Sequence, residues 1–295
     1  MKRFKILHET SYHFSGWVQL LPHTLRLRPR EGYELRIESS ILDISPAATL
    51  RWRRDVEGNS VALATFNGNT QFLNIKSEII IQQYDQTPLD FLVEDYAVNY
   101  PFTYRYEDKA LLLPYMDLAK NSANRQLADW LDRLWQPGEK IQTFALLLRL
   151  NQSINQSLAY RRREEEGVQT AEQTLSYGSG SCRDSACLFM TAARQLGFAA
   201  RFVSGYLYSP ATTYPFGQAG STHAWAEVFI PGAGRKGFDP TSGLVVGADH
   251  IAVAVARLPE SVPPIAGSFH GPLGANMTVN VWVTESLQGR FDAAD

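Results

Sequence analysis

Residues 178–197 read GSGSCRDSACLFMTAARQLG, in which a turn rich in glycine and serine runs directly into a helical pattern. After Arg183 the apolar residues recur three or four positions apart, at Ala186, Phe189, Met190, Ala193 and Leu196. Gly197 is suited to end that helix, because glycine readily adopts the left-handed conformation of a helix C-terminus. The pattern therefore predicts a helix whose first turn begins at or just after Cys182.

Cys182 lies where a thiolate is favoured. The first turn of a helix has free backbone N–H groups and the positive end of the helix dipole, and both lower the pKa of a cysteine. Gly178 and Gly180 allow a substrate to approach the backbone, and the Cys182 N–H is placed to bind an oxyanion. On position alone, Cys182 could equally be a cysteine that is simply buried in the core, because free cysteine is among the most buried residue types. Cys187 lies about 140° around the helix from Cys182, on the apolar side, and is predicted to be a small buried side chain.

A hairpin downstream favours the catalytic interpretation. Residues 221–230 (STHAWAEVFI) have the pattern of a strand, PGAG at 231–234 is a turn, and KGFDP at 236–240 begins a return strand. His223 opens the first strand and Asp239 ends the second, so the hairpin brings both to one edge. An even register would place both side chains on the same face. Asp239 would then fix the imidazole tautomer while His223 holds the thiolate.

Four motifs resemble the core of the transglutaminase-like superfamily: GSCRD at 180–184, AARFVSGY at 199–206, THAWAEV at 222–228 and GFDPT at 237–241. VPPIAG at 262–267 is similar to the segment that follows this core in bacterial members, which also have a β-rich N-terminal region similar to residues 1–85. The resemblance implies a papain-like arrangement, with a helix bearing Cys182 packed on an antiparallel sheet bearing His223 and Asp239.

The resemblance also implies a side-chain oxyanion donor upstream of the cysteine, for which Tyr177 is the nearest candidate. Gly180 and Trp225 are expected to line the substrate cleft. Asp184 is expected to be a charge at the helix N-terminus rather than a second catalytic acid. Glu227 is expected to face solvent or to pair with an arginine.

The fold class that follows is α+β. Residues 1–86 are predicted to form an antiparallel β-sandwich-like domain, because segments such as LRLR at 25–28 and LRIE at 35–38 alternate apolar and polar residues. Residues 87–120 are aromatic and irregular and are interpreted as a connecting segment. Residues 121–295 are predicted to form the transglutaminase-like core with a C-terminal tail, beginning with two amphipathic helices around residues 127–134 and 144–154.

Composition narrows the function classes. The 295 residues are 44% hydrophobic and 20% charged with a net charge of −2, so no basic stripe is present to bind nucleic acid. The charge run RRREEE at 161–166 cancels itself and is interpreted as a solvated loop or helix end. No apolar run is long enough to span a membrane, and neither a signal peptide nor a disulfide framework is indicated, so a reducing cytoplasm is expected.

The sequence therefore predicts a thiol-dependent amide or peptide hydrolase, a cysteine protease that acts on a peptide or protein amide through Cys182, His223 and Asp239. Two alternatives stay open, which are a transglutaminase that transfers the acyl group to an amine and a non-catalytic interaction domain that keeps the fold. No metal or other cofactor is expected, because the six histidines and two cysteines show neither HExxH nor CxxC spacing. The oligomeric state cannot be derived from these residues.

Overall fold

A computed structural model describes residues 1–84, 89–118, 125–163, 165, 167–209 and 220–285. The expected domain boundaries at 86/87 and 120/121 lie outside these residues, as do Glu164 and Glu166 of the charge run. Among the described residues, no helix has the length and apolar character that crossing a membrane requires.

The described strands are β1 Lys2–Leu20, β2 His23–Leu25, β3 Leu35–Ser45, β4 Ala48–Arg54, β5 Ser60–Phe66, β6 Asn69–Gln83, β7 Asn99–Tyr100, β8 Ile141–Gln142, β9 Ala159–Tyr160, β10 Ser179–Gly180, β11 Ala200–Leu207, β12 Ser221–Ile230, β13 Gly234–Asp239, β14 Leu244–Val245, β15 His250–Ala256, β16 Ile265–Ala266, β17 Phe269–His270 and β18 Ala275–Glu285. The described helices are α1 Tyr106–Met116, α2 Arg125–Asp132, α3 Thr143–Ser157, α4 Ala171–Tyr177 and α5 Cys182–Gln195, with 3₁₀ turns at Asp95–Ala97 and Pro259–Ser261. Strands and helices together confirm the α+β class.

Two antiparallel sheets form the predicted N-terminal sandwich. One has the order β17-β1-β6-β3, with β18 also paired to β1, and the other has the order β16-β2-β5-β4. Period-two alternation explains β6, in which Leu73, Ile75, Ile79 and Ile81 all point inward and are almost completely buried. The sandwich also contains β16, β17 and β18 from the C-terminus, which the sequence analysis assigned to the core. The alternation of Val279, Val281 and Val283 is the signal that identifies the last of these as a strand.

The second half is built on a five-stranded antiparallel sheet with the order β14-β13-β12-β11-β15. Helix α5 packs on this sheet, chiefly against β12. The small residues Ala224 and Ala226 face the helix and allow a close approach, and they share a core with Phe189 of α5 and Phe238 of β13. This is the helix-on-sheet arrangement that the sequence resemblance implied.

The segment before the core is more regular than expected. It contains a 3₁₀ turn, β7 and α1, where the sequence analysis expected an irregular connection across residues 87–120. Helix α1 lacks an amphipathic pattern because Leu112 is its one buried residue while Leu111 and Leu113 are exposed. The helix also continues through Pro114 to Met116, although a proline in a sequence usually indicates that a helix has ended before it.

Candidate active site

The hairpin register brings His223 and Asp239 together. Strands β12 and β13 pair Ala226 with Phe238, so the same register places Asp239 across from Trp225, two residues from His223. All three side chains therefore point to one face of the sheet. His223 Nε2 lies 3.0 Å from Asp239 Oδ2, and both side chains are almost fully buried. The observed register is even, which is the condition under which the sequence analysis placed both side chains on one face.

Cys182 is the first residue of α5 and contacts His223. The His223 imidazole and the backbone N–H of Ala224 lie close enough to the thiol to affect its ionisation. Because Asp239 engages Nε2 of the ring, Nδ1 is the nitrogen left for the thiol. Burial alone would raise the pKa of the Cys182 thiol, but the His223 hydrogen bond and charge, the Ala224 N–H and the Arg183 charge together lower it. The site therefore favours a thiolate.

The imidazole of His223 is held between two acceptors. Burial opposes its charge, yet the hydrogen bonds to Asp239 and Cys182 outweigh burial and raise the pKa of His223 to about 10. A raised imidazole pKa and a lowered thiol pKa are the two sides of one thiolate–imidazolium pair. The geometry can therefore supply a nucleophile and a proton donor at neutral pH.

Asp239 accepts more hydrogen bonds than orientation of one imidazole requires. Besides His223, its Oδ2 accepts from Ser242 Oγ at 2.8 Å and lies 3.3 Å from His250 Nε2, while Oδ1 accepts from the Thr241 N–H at 3.0 Å. Burial acts to raise the pKa of this carboxyl, but these donors and the nearby imidazoles hold it far below its usual range. Asp239 is therefore a carboxylate throughout the physiological pH range.

A buried carboxylate anchors the N-terminus of α5. Asp184 Oδ2 accepts from the Ser181 N–H at 2.8 Å and from Ser181 Oγ at 2.7 Å. Its Oδ1 accepts from the Gln169 N–H and from Arg163 Nη1, both at 2.7 Å. Asp184 thus has the expected helix-start role and in addition ties the turn before Cys182 to the preceding loop. Arg163 is a correction to the interpretation of 161–166 as a solvated run, since its side chain is only 14% exposed against this carboxylate.

Cys187 differs from Cys182 in its surroundings. Its side chain is partly rather than fully buried, and it contacts no imidazole among the groups that affect its ionisation. Burial, reinforced by the Glu260 charge, raises the pKa of its thiol to about 11. The two cysteines of the chain are therefore opposite in acidity.

Of the weaker expectations, the one for Trp225 differs from the structure. Trp225 is 1% exposed and packs beneath the imidazoles, in a cluster with Val203 and Val255, so it is not the expected open wall of the cleft. Gly180 has a packing reason to be glycine, because a Cβ there would lie 2.8 Å from Asp184 Cβ. Tyr177 ends α4 with its side chain 64% exposed. Its role as an oxyanion donor stays a prediction. Glu227 pairs with Arg201 at 2.7 Å, as expected.

The residues that sequence reasoning missed are His250 and Ser242, which meet at Asp239. Neither belongs to a local motif, because His250 opens β15 and reaches Asp239 only through the pairing of β15 with β11. Ser242 lies in the turn just after Asp239, where a serine is ordinary turn chemistry. The folded structure identifies both of them as neighbours of Asp239.

The group of His223, Asp239 and His250 also has the composition of a metal site, with its ligand atoms within 4.8 Å of one another. The hydrogen bonds argue against this use. The Gly247 N–H donates to His250 Nδ1, so the neutral ring carries its proton on Nε2 and has no lone pair there for a metal. His223 and His250 both approach the same oxygen of Asp239 as hydrogen-bond donors do.

Comparisons with known proteins agree with this architecture. The transglutaminase-like superfamily model matches residues 133–240, and the model of the bacterial transglutaminase-like N-terminal region matches residues 4–82. A protein of Mycobacterium leprae without an assigned function is 32% identical over 107 residues, or 36% of this chain and 37% of that protein. One of Mycobacterium tuberculosis, also without an assigned function, is 27% identical over 293 residues, covering 91% of this chain and 88% of the relative.

A solved structure has the same fold over nearly the whole chain. It is a protein of Cytophaga hutchinsonii, provisionally described as a cysteine protease, with a TM-score of 0.71 and 17% identity. The alignment covers 99% of this chain and 92% of that one. At this identity the likeness concerns the fold, including the sandwich as well as the core.

Proposed function

The chain belongs to the transglutaminase-like superfamily, and on that premise we propose that it is a thiol-dependent amide hydrolase that acts on peptide or protein amides. One observation carries the proposal, namely the buried His223 imidazole between the Cys182 thiol and the Asp239 carboxylate. Such a chain of nucleophile, base and orienting carboxylate is the arrangement that activates a thiol for acyl transfer.

The proposed reaction begins with attack of the Cys182 thiolate on the amide carbonyl carbon. The new S–C bond pushes the carbonyl electrons onto oxygen, and the backbone N–H at the start of α5 is positioned to stabilise that oxyanion. Tyr177 is proposed as the side-chain donor to the same oxygen. The His223 imidazolium then protonates the leaving nitrogen, the C–N bond breaks, and a thioester remains on Cys182.

The second half of the reaction uses His223 as a base. The neutral imidazole removes a proton from water, the resulting hydroxide adds to the thioester, and the C–S bond breaks to release a carboxylic acid and restore the thiolate–imidazolium pair. We propose water as the acceptor because it is always available, whereas transfer to an amine requires that water be excluded. A reducing cytoplasm, the proposed location, would keep Cys182 as a thiol.

Mass spectrometry with a panel of glutamine-containing peptides, with and without a primary amine, tests the proposal. We expect Cys182-dependent cleavage or deamidation, and no product with the Cys182→Ala variant. An amine adduct in place of hydrolysis would identify a transglutaminase. Absence of any covalent acyl-enzyme or product across the panel, together with a thiol of ordinary reactivity, would favour the non-catalytic interaction domain.

His223→Ala is the matched test of the proposed ion pair. The quantity measured is the midpoint of the acid limb, which is the pH at which the rate of Cys182 alkylation has fallen to half its maximum on the acid side. Removing the imidazolium should raise this midpoint by about 1 to 3 pH units, the usual effect of one close opposite charge. Asp239→Asn should act more mildly on the thiol, because it mainly orients the ring. A profile unchanged by His223→Ala would show that the two side chains do not interact.

A further inference from the structure

His250 is the second imidazole on the proposed catalytic carboxylate. It opens β15, its side chain is 8% exposed, and its Nε2 lies 3.3 Å from the same Asp239 oxygen that accepts from His223. The two imidazole rings are 6.0 Å apart. His250 therefore touches the orienting carboxylate without lying between the thiol and the ring that serves it.

Two neighbours fix the direction in which the His250 proton points. The Gly247 N–H donates to Nδ1 at 3.4 Å, which makes Nδ1 an acceptor and leaves the proton of the neutral ring on Nε2. The edge of the ring also packs against Trp225 at 5.2 Å between ring centres. The ring is thus held so that Nε2–H donates to Asp239.

We propose that His250 is a positioning residue that holds the Asp239 carboxylate in the orientation needed to bind His223. The inference rests on the proposed function, because it concerns the same thiol, imidazole and carboxylate. Oδ1 of Asp239 is fixed by the Thr241 N–H, and Oδ2 is fixed from two further sides by Ser242 and His250. With these donors in place, Oδ2 presents a lone pair to His223 without rotating away.

Loss of the His250 donor should weaken the ion pair between the Cys182 thiolate and the His223 imidazolium without unfolding the protein. A carboxylate that is free to rotate spends less time on His223, so the imidazolium is less favoured and the thiolate forms at higher pH. Among the described residues, the ionisable and charged groups that face this centre besides His250 itself are Cys182, His223, Asp239 and Arg183, and none of these four changes in the variants below.

The test is the pH dependence of Cys182 alkylation by iodoacetamide in the full-length protein with His250→Leu and His250→Gln. Leucine removes the donor, and we expect the midpoint of the acid limb to rise by about 0.5 to 1 pH unit, the size of one net hydrogen bond. Glutamine places an amide N–H near the position of Nε2, so it should restore the wild-type midpoint. His270→Leu, which removes an exposed histidine of the sandwich, is the control and should leave the profile unchanged.

A folded His250→Leu protein with the wild-type midpoint would overturn the proposal, and so would a glutamine variant that shifts as far as leucine. If the His250→Leu variant does not fold, ¹⁵N NMR of the wild-type protein labelled at histidine tests the proposal instead, by identifying the tautomer of His250. The proposal requires His250 protonated on Nε2 and unprotonated on Nδ1 at neutral pH, and the opposite tautomer overturns it. Absence of an acid limb in the wild type itself would instead count against the proposed function.

Discussion

At the scale of single residues, the two cysteines form an internal comparison. Cys182 lies beside an imidazole and a backbone N–H that lower the pKa of its thiol, while burial raises the pKa of the Cys187 thiol to about 11. Since alkylation requires the thiolate, the lowered pKa of Cys182 and the raised pKa of Cys187 should make Cys182 react about 10-fold faster or more near pH 6, even though a more acidic thiolate is a weaker nucleophile. Peptide mapping after limited iodoacetamide treatment measures the ratio. Cys187→Ser should label like the wild type, and equal labelling of both thiols would refute the assignment.

Asp239 should also make the stability of the protein depend on pH. Its folded-state pKa is depressed, so its contribution to the free energy of unfolding is present above the unfolded value near 3.9 and is lost as the pH falls below that value. The raised pKa of His223 also depends on Asp239, and the stability it adds is complete below about pH 6.5 and is lost as the pH rises toward 10. The stability difference between the wild type and Asp239→Asn should therefore be largest between about pH 5 and 6.5 and should shrink below pH 4 by about 1.4 kcal/mol per pH unit.

Urea unfolding at pH 7, 4 and 3 measures this difference directly. Asp43→Asn is the matched control, because Asp43 is an exposed carboxylate on β3 and should give little difference at any pH. A wild-type advantage over Asp239→Asn that stays constant from pH 7 to pH 3 would contradict the proposed carboxylate network.

Much of the candidate site could be predicted from the sequence, because its parts have local signals. A helix start predicts the position of Cys182, and a short hairpin predicts that His223 and Asp239 share an edge. His250 and Arg163 have no such signal, since each reaches its partner through contacts that depend on the folded sheet and loop. Burial of Arg163 alone among the described members of the charge run, which are otherwise exposed, cannot be predicted from the composition of the run.

At the scale of elements, α5 is held at its start by the buried pair of Asp184 and Arg163. Asp184→Asn removes the counter-charge of Arg163 and turns one acceptor oxygen into a donor that faces donors. We expect a loss of about 3 kcal/mol in the free energy of unfolding, as for other broken buried pairs. Alkylation of Cys182 at pH 6 should also slow, because the first turn of the helix loses its anchor.

Arg163→Met is the matched control for this anchor. It leaves Asp184 with the Ser181 and Gln169 donors, so the loss of stability should be smaller, about 1 to 2 kcal/mol. Chemical denaturation of both variants gives the two values. An Asp184→Asn protein within about 0.5 kcal/mol of the wild type would show that the anchor contributes little.

The elements also show where sequence periodicity succeeds and fails. The strong alternation of β6 and the apolar stripes of α3 and α5 are visible because each element buries one face. Helix α1 buries a single residue, so no stripe exists to detect. Strand β18 has a detectable alternation, but nothing in it indicates that its partner is β1, at the opposite end of the chain.

At the scale of the whole molecule, the sandwich and the half that carries the five-stranded sheet share one apolar core. Phe4 of β1 and Ile79 of β6 belong to the same buried cluster as Phe189 of α5. Polar contacts join the halves as well, since the Asn59 side chain binds both the N–H and the carbonyl of Val255 at 2.9 and 2.8 Å. Because β18 follows the five-stranded sheet in the chain yet pairs along β1, the sandwich is not complete without a segment from the other end of the chain.

This arrangement predicts that the two halves unfold together. Strand β6 carries Leu73 in the apolar cluster of the sandwich that lies apart from the shared core, and Ile79 in the shared core itself. A destabilising substitution at Leu73 should therefore also destabilise the half that carries the five-stranded sheet. In a Cys182→Ser background, urea-induced exposure of Cys187 reports on that half alone. Leu73→Ala should cost about 2 to 5 kcal/mol and move the Cys187 labelling midpoint to lower urea. Phe72→Ala, on the half-exposed opposite face, should move it far less. A labelling midpoint unaffected by Leu73→Ala, in a variant whose sandwich is measurably destabilised, would show that the halves unfold independently.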